Sequence, residues 1–353
     1  MNISMISFTE NGIKLSRKIA ADMREDQSLL YTKYSAGLPE EGDISVQYVK
    51  EPVQEWARTQ MEAGNPMLFI GACGIAVRAI APYLTDKLHD SPVMVMDELG
   101  NYIIPILAGH VGGANEIAQN IAARTGAVPV ITTATDINKK FAVDLFAKRN
   151  ALHIVNKDGI AGVTAKVLQG KEITISVDPA HIMKLPPASE KIRLTGYPPE
   201  CEVDVLITTQ KTEYRALLCL QPREYVIGAG CKRGKETEKV RRLIQSCLQE
   251  AGISVEQVFA LASVEQKREE ECFLAWSREE RIPFHTYTAE ELAEVQGDFN
   301  GSDFVKEKIG VDNVCERAAL KACAFGGRLI YPKHAEDGMT LAIAKRDWRI
   351  AFD

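Results

Sequence analysis

The sequence predicts an α/β protein of several domains, with largely parallel sheets flanked by helices. Three observations carry that prediction. Short apolar runs alternate with helical periodicity along most of the chain, as where Met67-Leu68-Phe69-Ile70 gives way to a helix running towards Pro82; such alternation favours parallel sheets. Glycine-rich turns stand where strands hand over to helices, at GACG (71–74), GHVGGANE (109–116) and GAGCKRG (228–234). The 353 residues exceed what a single ordinary core needs, which divides the chain into roughly two or three domains.

Taken in order, residues 2–8 alternate as a strand, Glu10-Asn11-Gly12 reads as a turn, and a helical pattern begins at Ile13. Gly37 to Asp43 is acidic and Gly/Pro-bearing, hence a loop. Val93–Met96 and Tyr102–Leu107 read as paired strands around the turn 98–101, with Pro105 placing the second strand at an edge or a bulge. A helix to Arg124, a stop at Thr125-Gly126 and a strand over 127–131 follow. From about residue 138 come a helix, a strand near 172–177, the turn Leu185-Pro186-Pro187, and strands near 203–208 and 215–220. Beyond Pro222, residues 225–227 are a strand, and Val240, Leu243, Ile244, Cys247 and Leu248 keep helical spacing. Thr288…Glu291 and Asn313…Glu316 are capping boxes that open two later helices. The expected division is an N-terminal α/β domain (1–137), a smaller middle α/β segment (138–221) and a C-terminal α/β domain (222–353).

Composition narrows the function classes. A net charge of −6 argues against nucleic acid as a partner, since phosphate affinity needs a clustered basic surface. The eight cysteines lie singly, with no CxxC pair, and read as reduced, mostly buried thiols. The six histidines show no HxxxH spacing, so no metal site of the protein's own is expected. The N-terminus lacks a basic n-region and no apolar run reaches the ~20 residues of a membrane span. These features predict a cytoplasmic chain with no membrane partner.

In α/β folds ligands gather at strand carboxyl ends, where helix N-termini point free N–H groups outward. GACG, GHVGGANE and ITTATD (131–136) all fall between residues 71 and 136, which predicts a single cleft. Gly109, Gly112 and Gly113 either clear room for a ligand or serve tight strand–helix packing. His110 is placed for proton transfer, or for a structural hydrogen bond. Asn115 offers a donor and an acceptor to a ligand, or caps its own helix; Glu116 is a candidate acid/base, or a first-turn carboxylate answering the helix dipole. Thr132, Thr133, Thr135 and Asp136 make an anion cradle with a candidate base, or cap the next helix. Asp97 is a candidate catalytic acid or a turn residue, and Arg78 a carboxylate partner or a solvated surface cation. In the C-terminal domain Gly230, Lys232 and Arg233 suggest carboxylate or phosphate binding. The loop is only a loose dinucleotide match, with no acid placed for a ribose. Cys73 and Cys231 sit in glycine turns without a neighbouring histidine, which gives little support to a nucleophile.

GACGIAVRAIAPYLTDKLHDSPVMVMDELG (71–100) and LAGHVGGANEIAQNIAARTGAVPVITTATD (107–136) resemble the N-terminal domain of the CbiG family, the cobalt-precorrin-5A hydrolases of the anaerobic cobalamin pathway. VIGAGCKRGKE (226–236), ALASVEQKREE (260–270), FVKEKIGVDNVCERAALKAC (304–323) and LIYPKHAEDGMTLAIAKR (329–346) resemble its C-terminal domain, with the likeness weakest between 138 and 221. The resemblance implies hydrolysis of the δ-lactone that joins the ring A acetate to the extruded meso carbon of a cobalt-bearing corrinoid. That carbon then leaves as acetaldehyde. It implies no cofactor beyond the cobalt carried by the substrate, other enzymes of the pathway as partners, and it admits a homo-oligomer. His110 is then the first choice of base, Asp97, Glu116 and Asp136 are further candidates, and amides around Gly112 and Gly113 form an oxyanion hole. A thiol is not expected to be required at Cys73 or Cys231. The rival readings are a non-catalytic tetrapyrrole carrier and a nucleotide-dependent enzyme that uses GAGCKRG as a phosphate loop.

Overall fold

The computed structural model describes residues 3–23, 28–35, 44–86, 90–110, 112–133, 140–210, 215–299, 301, 307 and 310–352. The chain forms two compact units, 1–140 and 141–353.

The first unit is one twisted sheet of β1 (Ile3–Ser7), β2 (Ser28–Thr32), β3 (Val46–Tyr48), β4 (Met67–Ile70), β5 (Val93–Met96), β6 (Tyr102–Leu107) and β7 (Val128–Pro129). Its strand order is β3-β2-β1-β4-β5-β6-β7. β1 to β5 run parallel, β6 is antiparallel to β5, and β7 follows β6 in parallel. Period-two burial divides each strand between two cores. Leu68 and Ile70 face one side with residues of α1 (Glu10–Asp22) and α4 (Ala114–Thr125). Met67 and Phe69 face the other, with residues of α2 (Val53–Glu62) and α3 (Cys73–Ile80). Trp56 of α2 stands edge-on to Phe69 and Tyr31, their ring centroids each 5.5 Å away.

Helix α1 starts earlier than its Glu-Asn-Gly opening predicts, because Thr9 caps it and accepts the Gly12 N–H at 3.1 Å. The cap outweighs the turn propensity of Asn-Gly. Pro105 is accommodated at a register shift in the β5–β6 pairing rather than at a sheet edge.

The second unit holds two five-stranded sheets and one two-stranded sheet. One contains β8 (Leu152–Ile154), β9 (Ile173–Ser176), β11 (Ile192–Thr195), β12 (Val203–Ile207) and β13 (Ala216–Pro222), all parallel except β8. Between β9 and β11 lies β10 (Ile182–Lys184), which pairs instead with the C-terminal β19 (Ile350–Ala351) and ties the two ends of the unit together. Helices α5 (Val143–Arg149) and α6 (Asp158–Leu168) accompany this sheet. The other sheet has the order β16-β15-β14-β18-β17, built from β14 (Tyr225–Cys231), β15 (Val258–Val264), β16 (Phe284–Tyr287), β17 (Gly327–Glu336) and β18 (Met339–Arg346). Its first three strands run parallel, and β17–β18 is a hairpin antiparallel to β14. One face packs residues of α7 (Thr237–Glu250) and α8 (Glu271–Glu280); the other packs residues of α9 (Ala289–Ala293) and α10 (Cys315–Lys321). Among the described residues no helix is long and apolar enough to cross a membrane.

Candidate functional site

The β5–β6 hairpin decides where the motifs of the first unit lie. Val93 pairs with Leu107 and Met96 with Ile103, so the carboxyl end of β6 stands at the amino end of β5. The GHVGGANE loop after β6 is therefore at the opposite end of the sheet from GACG and Asp97, which follow β4 and β5. The five steps from Tyr102 to Leu107 alone separate the two ends by roughly 17 Å. The single cleft expected from sequence proximity is thus two sites. Arg78 and Asp97 belong with Thr9 and Glu98; His110 belongs with Asn115, Thr132 and Thr133.

At the first end, Asp97 holds its turn together. Its Oδ1 accepts the Leu99 N–H at 3.0 Å and the Asn101 side-chain amide at 3.2 Å, and its Oδ2 accepts the Tyr102 N–H at 2.7 Å. Its carboxylate serves the turn at the sheet end opposite His110, so Asp97 is corrected from candidate acid/base of that site to turn clamp. Glu98 accepts the Thr9 hydroxyl at 2.6 Å. Arg78 is exposed and folds back to donate to the Gly74 carbonyl at 3.0 Å, so it leaves α3 only on the solvent side.

The other end is more enclosed. Ala108 turns the chain at a positive φ of 51°, and Gly113 caps α4 at φ 94°. Gly112 packs so tightly that a Cβ there would lie 2.3 Å from the Ala108 Cβ and 2.6 Å from its carbonyl oxygen. Its absent side chain serves loop packing. The loop also consumes its own donors: Gly113 N–H goes to the His110 carbonyl at 3.2 Å, Ala114 N–H to Ala108 at 3.2 Å and Asn115 N–H to Gly109 at 2.8 Å. The Gly113 amide is therefore corrected out of the expected oxyanion hole. Asn115 is 7% exposed, lies against Gly109 and donates its side-chain amide to Thr133 Oγ1 at 3.0 Å. It clamps the GHVGG loop to the strand end that carries the threonines. His110 is half-buried with Nε2 shielded from solvent, while Glu116 and Thr132 are exposed. Thr135 and Asp136 lie outside the described residues.

Sequence reading missed the segment leading into β5, which reaches this same end. There Asp90 accepts the Thr85 N–H at 2.8 Å and the Thr85 hydroxyl at 2.9 Å. The signal was present in the antiparallel hairpin, which turns β5 and its preceding loop towards the end where β6 finishes.

In the second unit GAGCKRG ends β14 at the carboxyl edge of its sheet. Gly228 is there for packing, since a Cβ would fall 1.8 Å from the Cys315 carbonyl oxygen of α10. Gly230 lies against Thr340 Oγ1, 2.8 Å from where its Cβ would be. Lys232 and Arg233 are exposed, and the Lys232 N–H donates to the Gly338 carbonyl at 3.1 Å. The loop's anchor is a residue sequence analysis passed over, Glu270. Its Oε1 accepts the Gly234 N–H at 2.7 Å and its Oε2 accepts Lys267 Nζ at 2.6 Å. Burial pushes the Glu270 carboxyl up, but Lys267 and the amides of Gly234 and Lys235 outweigh it and hold the group below the ordinary glutamate range. Lys235 Nζ bonds Asp337 Oδ2 at 2.7 Å, fixing the β17–β18 turn beside the loop.

All eight cysteines are free; four are buried, two half-buried, and Cys73 and Cys201 exposed. The Cys231 thiol is pushed up by its contact with Cys272 and by burial, which opposes a nucleophilic role.

Comparison with known proteins joins the two units. The cobalamin synthesis G N-terminal family description matches residues 55–136, and the cobalamin synthesis G C-terminus matches residues 225–344. A cobalt-precorrin-5A hydrolase from Salmonella typhimurium is 31% identical over 356 aligned positions, covering 97% of each chain. One from Priestia megaterium is 28% identical over 334 positions, covering 90% of this chain and 88% of its own. A solved cobalamin biosynthesis protein G homologue from Sulfolobus solfataricus aligns over 98% of this chain and 97% of its own, at 21% identity and a TM-score of 0.41. Matched in both units and along nearly its whole length, the chain belongs to the CbiG family of cobalamin biosynthesis proteins.

Proposed function

We propose that the chain is a cobalt-precorrin-5A hydrolase. The observation that carries this reading is the 31% identity to a protein of that name over 97% of both chains. A carrier built from one domain would not need both units.

In this reading water adds to the lactone carbonyl of the corrinoid, freeing the ring A acetate and leaving a hydroxyl on the extruded carbon. Loss of the hydroxyl proton then breaks the carbon–carbon bond. The electron pair passes into the conjugated macrocycle and acetaldehyde departs. The chemistry sits at the β6–α4 end of the first sheet. There His110 takes a proton from the attacking water, returns it to the departing lactone oxygen, and takes it again from the new hydroxyl. Its Nε2 is shielded from solvent, and Asn115 fixes the loop that carries it. The tetrahedral oxyanion is met by the Gly112 N–H and the Thr132 hydroxyl, because the next three amides are committed within the loop. Glu116 supplies a carboxylate in the first turn of α4, and Thr133 lines the strand exit. Exposed Lys232 and Arg233 beside Gly230 are cations of the kind a polycarboxylate substrate pairs with.

The reaction needs no cofactor of the chain's own, since cobalt arrives in the substrate. The chain works in the cytoplasm beside the pathway enzymes that supply and remove the corrinoid. Mass spectrometry of the corrinoid after anaerobic incubation with the purified chain tests the reading. A ring-opened product lacking the two-carbon unit is expected; unchanged substrate bound tightly to the protein would favour a carrier.

A further inference from the structure

Outside the site assigned to hydrolysis, one cluster combines metal-ligating chemistry with burial. Cys231 closes β14 and Cys272 is the second residue of α8, and their sulfurs lie 3.9 Å apart. A carboxylate oxygen of Glu270 lies within 4.8 Å of both sulfurs. Two thiolates on one tetrahedral zinc ion, each at about 2.3 Å, would stand roughly 3.8 Å apart. The observed separation already matches a shared ion, whereas a disulfide would require the sulfurs to close to about 2.05 Å.

The surroundings of the carboxylate point the same way. Glu270 is 8% exposed, and its two oxygens are oriented by the Gly234 N–H and by Lys267 Nζ. With the Lys235 amide as a third donor the carboxylate still keeps one lone pair for a ligand, and such outer partners are what fix a metal-binding carboxylate in direction. Charge also balances. Two thiolates and a carboxylate around a divalent cation leave one net negative charge, and Lys267, itself mostly buried, neutralises it. With both thiols protonated the Glu270–Lys267 pair is likewise neutral. Binding then releases two protons to solvent and forms two metal–sulfur bonds without stranding a buried charge.

We propose that Cys231, Glu270 and Cys272 form a zinc site at the base of the GAGCKRG loop, with the fourth tetrahedral position left to water or to an incoming donor atom. The sequence conceals it because its ligands come from two segments about forty residues apart and only two of them are cysteines. Zinc here would lock the end of β14 to the start of α8 and so stiffen the loop that presents Lys232 and Arg233.

The test uses the full chain, reduced and stripped of metal under anaerobic conditions, with Co²⁺ as the spectroscopic probe and Zn²⁺ as the competitor. One Co²⁺ per chain should bind with sulfur-to-cobalt charge-transfer absorption, and Zn²⁺ should abolish the band. Cys231→Ser and Cys272→Ser should each halve the band and weaken binding by at least ~10-fold. A chain carrying both Cys73→Ser and Cys201→Ser should bind as the parent does. Circular dichroism melts of the metal-free variants establish that they fold. Should the buried Cys272→Ser fail to fold, Cys231→Ser at the half-buried strand end decides alone. Absence of the charge-transfer band in the parent, or a band of undiminished intensity and affinity in Cys231→Ser, would overturn the proposal. So would ready oxidation of the pair to a disulfide by oxidised glutathione with no metal uptake beforehand.

Discussion

His110 is the residue on which the chemical account rests, and its neighbours show why. Its loop is pinned from three sides: by Ala108 and Gly113 in left-handed backbone, by Gly112 packed on Ala108, and by Asn115 reaching Thr133. A base that must face one lactone carbonyl gains from such fixation, since a misplacement of about 1 Å can cost ~10²-fold in rate. Removing the imidazole alone should lower turnover by ~10²-fold or more, with the melting temperature unchanged. Asn115→Ala should lower both activity and stability, the latter by about 1–2 kcal/mol, because it frees two strand exits from each other. Thermal melts alongside turnover separate the two cases; an Asn115→Ala chain with full stability and no activity would instead place Asn115 on the substrate. The glycines carried a double meaning in the sequence, and steric space resolves it. Gly112 is filled by its own loop, while Gly113 has open space around its Cα and is demanded by its φ.

At the scale of elements, the strands and helices with strong periodicity were legible: β4, β5, β6 and α4 lie where the apolar runs place them, while β14 continues to Cys231 through glycines that read as a loop. The short strands β2 and β3 were not, because three to five residues bury too little to leave a pattern. The β17–β18 hairpin was missed because β17 alternates exposed and half-buried residues and contains a proline. The β5–β6 hairpin was seen, yet its consequence for Asp97 and Arg78 was not, since proximity along the chain was taken for proximity in space. Two packing predictions belong here. Gly228→Ala should destabilise the second unit by about 3 kcal/mol or more, since the new methyl meets the backbone of α10. Gly230→Ala, which meets only a hydroxyl, should cost less. Equal denaturant midpoints for the two variants would contradict this view of how α10 seats on β14.

Over the whole molecule, the buried ionisable groups set the pH range in which the second unit is stable. His153 is held below its ordinary value of 6.5 by burial and by nearby Arg223, and His285 by burial. Both are depressed, so their contribution is complete above about pH 6.5 and is lost as pH falls through their folded-state values. Asp204 acts lower. Burial raises its carboxyl, but Lys166 and both Thr174 donors outweigh that and hold it below 3.8. Its contribution is therefore present above about pH 4 and lost on further acidification. Calorimetry of the second unit's transition should show the midpoint falling between pH 7.5 and 5, and falling less when His153 and His285 are both replaced by Gln. A midpoint that rises over that range would contradict the assignment.

The central claim is that this molecule opens the lactone and releases the two-carbon fragment, using the histidine at the β6–α4 end. The most direct measurement is the rate of acetaldehyde release from cobalt-precorrin-5A under anaerobic conditions, trapped as a hydrazone, for the parent chain and His110→Ala side by side. The account predicts many turnovers by the parent and a rate lower by ~10²-fold or more in a variant that melts at the same temperature. Tight corrinoid binding without aldehyde from the parent, or equal rates from the two chains, would contradict it.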